Sequence, residues 1–61
     1  MSYALHNQIG RQRAQRIIEE CAATDNMPRL VNEIRKAAAD ESGFGVGFMY
    51  AIAQLVAARA S

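Results

Sequence analysis

The chain has 61 residues and a formal net charge of +1, from seven Lys or Arg against six Asp or Glu. That length holds one domain, residues 1–61, near the lower limit for a self-sufficient core, and the near-neutral charge lacks the electrostatic footprint of a nucleic-acid binder. One cysteine, Cys21, and one histidine, His6, exclude an internal disulfide and a zinc site of the Cys/His kind, which leaves oligomerisation as the usual support for a chain this small.

The first predicted helix runs from Tyr3 to Ala23, with Ser2 as a candidate N-cap. Ala14, Ile17, Ile18 and Cys21 share one face of it. Leu5 and Ile9 lie about 100° away from that face. Gly10 separates the two halves and weakens a helix by about 1 kcal/mol relative to Ala. Either the helix bends there, or Leu5 and Ile9 serve a second contact. Arg11, Arg13 and Arg16 form a local basic run. Arg11 stands about 140° or more from the other two, and Glu19 and Glu20 follow at once. The run therefore reads as a solvated face with Arg16 paired to Glu20.

Thr24-Asp25-Asn26-Met27-Pro28 punctuates the chain. Asp25 or Asn26 can cap the next helix, and Pro28 suits its first turn, where the missing N–H is not needed. The second helix runs from Pro28 to Ala39. Met27, Leu30, Val31, Ile34, Ala37 and Ala38 make an apolar stripe of about 120°. Arg29 and Glu33, four apart on the opposite side, form a candidate ion pair.

Asp40 to Gly43 reads as a turn, with Gly43 expected at positive φ. The third helix begins between Phe44 and Gly47 and ends near Ala60. Its large apolar residues fill an arc of about 200°, twice the roughly 100° that a surface helix buries. It is thus the central helix of something larger or a contact surface. The apolar run is shorter than the roughly 20 residues that span a bilayer, so a buried helix of a soluble protein is expected. Gly43, Gly47 and Ala51 have the small-x-x-x-small spacing of closely approaching helices, here expected within the chain rather than between chains. Phe44 and Phe48 are assigned to the core. Tyr50, on the small-residue side, is expected to be exposed.

The fold expected is all-α: three short helices, the second and third an antiparallel hairpin that buries its large residues across a short turn, completed by dimerisation. Reading as a helix-turn-helix fails, because the third helix is too apolar to read bases.

No residue set carries a chemistry. Cys21 lies on an apolar face, His6 has no partner in sequence, and the carboxylates do not pair at an acid–base spacing. No catalytic residue, cofactor or metal is therefore expected. No export signal is visible, and with a lone cysteine this points to the cytoplasm. The expected function is binding to another protein, by analogy of size and composition with phage- or plasmid-type inhibitors and small regulatory subunits. The expected contacts, to a second copy in a homodimer or to a foreign protein, are Leu5, Ile9, Arg13, Arg16 and Tyr50. The alternatives are a nucleic-acid accessory acting through the basic segment and a small membrane-active peptide acting through the third helix.

Overall fold

In the computed structural model, which describes residues 2–60, three helices account for nearly the whole chain: α1 (Tyr3–Thr24), α2 (Met27–Ala39) and α3 (Gly43–Ala60). The starts of α1 and α2 have local causes. The Ser2 hydroxyl accepts from the Leu5 N–H, and Asn26 Oδ1 accepts from the Arg29 N–H at 3.2 Å ahead of Pro28. Between α1 and α2, Asp25 adopts the left-handed conformation at φ 53°, and the Asn26 N–H reaches back to the Cys21 carbonyl at 2.9 Å. This is a Schellman closure made without glycine. Gly43, expected at positive φ, is instead the first residue of α3, and among the described residues no glycine has positive φ.

Paired residues give the helix directions. Arg13 meets Glu33 and Arg29 meets Glu20, so α2 runs antiparallel to α1. Only residues 40–42 join α2 to α3, and Gly45 sits against the Ala37 and Asp40 carbonyls beside that turn. The second and third helices thus form the expected hairpin. α3 then runs parallel to α1, with Gly43 beside Tyr3, Gly47 beside Asn7 and Tyr50 beside Arg11.

The main packing lies between α1 and α3 rather than within the hairpin. A Cβ on Gly10 would strike the Phe44 carbonyl oxygen, and one on Gly47 would strike the Asn7 carbonyl. A Cβ on Gly43 would come within 2.8 Å of His6 Cβ and the Tyr3 oxygen. Backbone meets backbone along this seam, so the small-residue spacing marks a crossing within the chain, as expected. It also explains Gly10. α1 is one uninterrupted helix of 22 residues, and Gly10 serves close approach rather than a bend.

The core is small: Ala14, Ile17, Cys21, Phe48 and Ala51, flanked by half-buried Leu30, Ile34, Ala37, Met49 and Ile52. α2 has no fully buried residue, and Phe44 is 40 % exposed. The expectation that the hairpin buries its large residues is therefore corrected. The glycine face draws α3 onto α1, and the opposite side of α3 has nothing left to cover it. Nor is α3 a buried helix, for only 28 % of it is buried.

Candidate interaction surfaces

The arginines of α1 are directed by the fold. Arg11 Nε donates to Asn7 Oδ1 at 2.8 Å, and its guanidinium lies 4.2 Å from the centre of the Tyr50 ring. This arrangement combines a local hydrogen bond with a cation–π contact. Arg13 reaches α2 and forms an ion pair with Glu33 at 3.7 Å, and Arg29 pairs with Glu20 at 3.1 Å. The expected pairs within single helices, Arg16 with Glu20 and Arg29 with Glu33, give way to pairs between helices. The α1–α2 side carries too few apolar contacts to exclude long charged side chains. Arg29 and Glu20 are both about half exposed, a pair worth about 0–1 kcal/mol; in the other pair Arg13 is exposed while the Glu33 side chain is largely covered.

Arg11, Arg13 and Arg16 consequently do not converge on one basic face. Arg16 is exposed and has no ion-pair partner among the described residues. His6, without a partner in sequence, stacks on Phe44 with ring centroids 4.3 Å apart and planes at 17°. Cys21 is buried and unbonded. Among the described residues, no three His, Cys, Asp or Glu side chains gather. The Ser42 hydroxyl and backbone N–H, beside the fully exposed Asp40 carboxyl, hold it below the usual carboxylate range. This is turn chemistry at the start of α3, not a reactive group.

Two separate exposed surfaces result. On the outer side of α1, Leu5, Ile9, Arg13 and Arg16 fall within an arc of about 80°. Leu5 is 52 % and Ile9 41 % exposed, both well away from the core face. Tyr50 does not join them. It is exposed as expected, but it covers Arg11, which lies about 140° round α1 from the Leu5–Ile9 line. Four of the five expected contact residues thus share one surface, and the fifth lies elsewhere.

The second surface spans α2 and α3 on the side away from α1. On α2, Met27, Val31 and Ala38 occupy about 40° of arc, next to the half-buried Leu30 and Ile34. On α3, Val46, Met49, Ala53 and Val56 occupy about 80°. Met27, Val31, Val46 and Val56 are all substantially exposed, Val56 at 62 %. Neither arc carries a charged side chain. Both were legible as apolar stripes, but periodicity shows only that a face is apolar. That these two stay open follows from α3 having seated its glycines on α1.

By length and composition α3, with a mean hydropathy of 1.3, could also cross a membrane. Compared with protein-family models, with curated proteins and with solved structures, the chain matches none.

Proposed function

We propose that this chain is a non-enzymatic helical binding module that acts, as a small inhibitor or regulatory subunit does, by covering part of another protein. The observation that carries this reading is the large amount of apolar side chain the fold leaves at the surface, gathered into faces instead of scattered. Contiguous apolar patches on small domains mark interaction sites. The total accessible surface agrees: 4470 Å² against the roughly 3,900 Å² expected of a folded monomer of 6.7 kDa. The outer face of α1 supplies a mixed apolar and arginine surface of the kind found at protein interfaces. The buried, unpaired thiol of Cys21 suits a reducing cytoplasm.

A nucleic-acid role is less well supported, because two of the three clustered arginines are engaged within the fold. Membrane insertion draws support from the hydropathy of α3, but one side of that helix is seated on α1.

Affinity capture with the tagged chain tests the reading. It predicts recovery of a discrete protein at fixed stoichiometry, insensitive to nuclease, and reduced capture by the Leu5→Glu, Ile9→Glu double variant. Steeply salt-dependent retention on nucleic acid, or partition into liposomes in place of protein capture, contradicts it.

A further inference from the structure

We infer that the apolar α2–α3 face is the seat of a second copy of this chain, which packs on it about a two-fold axis. This rests on the binding-module reading and names one partner and its surface, distinct from the outer face of α1.

Three observations converge on a second copy. The first is electrostatic. In an isologous interface each patch meets itself, so any charge on it meets its own like. Met27, Val31, Ala38, Val46, Met49, Ala53 and Val56 bring no charge at all, and the face is self-compatible without further adjustment.

The second is area. α2 and α3 are about 20 and 27 Å long at 1.5 Å per residue, and packed helices lie about 8–10 Å apart. Their shared face therefore has a footprint of about 500 Å², near the roughly 600 Å² per partner at the lower end of standard interfaces. The surface in excess of a folded monomer is of the same order.

The third is the core. Five buried hydrophobic residues, two of them alanine and one cysteine, are few for an independent domain. Docking a copy on this face would bury Met27, Val31 and Val56 and finish covering Leu30, Ile34, Met49 and Ile52. An α2 with no fully buried residue would gain a core side.

A lipid surface fits the same face less well. Interfacial helices are rich in Lys and Arg on their polar side. α2 carries Arg29, Arg35 and Lys36 on its polar side, with Glu33 among them, but α3 carries only Arg59, and the side opposite its apolar arc is the glycine seam.

Sedimentation velocity on the full chain from about 1 to 500 μM, with circular dichroism as the check on folding, tests the inference. The expected result is a dimer that Val56→Glu dissociates by about 100-fold in Kd, since it sets two like charges against an apolar face. Leu5→Glu, on the other surface, leaves the dimer unchanged. Val56 is the most exposed of the large residues on this face, at 62 %, so the substitution disturbs the monomer least. If the variant nevertheless unfolds, the unaltered chain decides: a dimer's thermal midpoint rises with concentration, and a constant midpoint overturns the inference. A folded monomer at 500 μM overturns it while leaving capture of a foreign protein as a separate question. Loss of the dimer on Leu5→Glu but not Val56→Glu overturns it by moving the second copy to α1. Binding to phosphatidylcholine vesicles that Val56→Glu abolishes, without dimerisation, assigns the face to lipid and overturns both this inference and the protein-binding reading.

Discussion

The two sides of α3 solve packing in opposite ways. Toward α1 it presents Gly43 and Gly47, and the neighbouring backbone closes so far that a single Cβ would collide with a carbonyl. Away from α1 it presents Val46, Met49, Ala53 and Val56, and meets only a half-buried edge of α2. The seam is complete within one chain and gains from short backbone distances rather than from bulk. The open face has bulk and no cover. A helix apolar all round is buried or membrane-embedded. Here one side is closed by glycine and the other stays open, the side that our inference gives to a second copy.

Substitutions can break this contrast. The largest expected effect is at Phe48, the one large side chain of α3 that is buried, at 4 % exposure. Phe48→Ala costs about 3–5 kcal/mol by denaturant titration at fixed protein concentration. A loss below about 1 kcal/mol would mean that the core does not sit between the seam and the hairpin.

Next come the seam glycines. Ala is the better helix former by about 1 kcal/mol, so at an open site Gly→Ala stabilises. Gly10→Ala and Gly47→Ala are expected to destabilise by about 1–3 kcal/mol each, because the added Cβ meets fixed backbone and not a movable side chain. Stabilisation at either position would show that α1 and α3 do not approach as described.

Smaller still are Leu5→Ala and Ile9→Ala, each expected to lower stability by less than about 1 kcal/mol, since half of each side chain already meets water. Losses of about 2 kcal/mol or more would place both in the core and remove the outer face of α1 as a surface.

The smallest effect is on pH. The Asp40 carboxyl is held below its ordinary range by the Ser42 hydroxyl and N–H. Its contribution is therefore present above the unfolded carboxylate value and is lost as pH falls through the lower folded value. The group is fully exposed, so Asp40→Asn should flatten the acid limb of the stability curve only slightly. An unchanged acid limb would show that the Ser42 contacts do not persist in solution.

Much of this architecture is legible in the residues. Ser2, Asn26 and Pro28 mark helix starts by the ordinary capping chemistry, and the Gly43–Gly47–Ala51 spacing announces a close crossing. What the sequence conceals is the other half of each contact. Gly10 looks like a helix weakener until Phe44 is set against it. Gly43 looks like a turn residue, because the same missing Cβ serves positive φ and close approach alike, and one-dimensional spacing does not separate them. Asp25 takes the left-handed position instead, helped by a side chain that tolerates it. Leu5, Ile9, Arg13 and Arg16 emerge as a surface because α1 periodicity alone groups them. Exposure alone groups Tyr50 with them, and exposure carries no direction. That the α2–α3 face stays open is concealed for a related reason: two apolar stripes joined by a short turn imply mutual burial unless a third helix claims one of them first.

The most direct test of the central claim is an isotope-filtered NOE measurement on a mixture of labelled and unlabelled chain, which reads contacts between copies alone. The account predicts intermolecular contacts at the methyl groups of Met27, Val31, Met49 and Val56, and none at those of Ala14, Ile17 and Ala51 in and beside the seam. Intermolecular contacts along the seam, or none at the α2–α3 methyl groups in a sample at millimolar concentration, would contradict it.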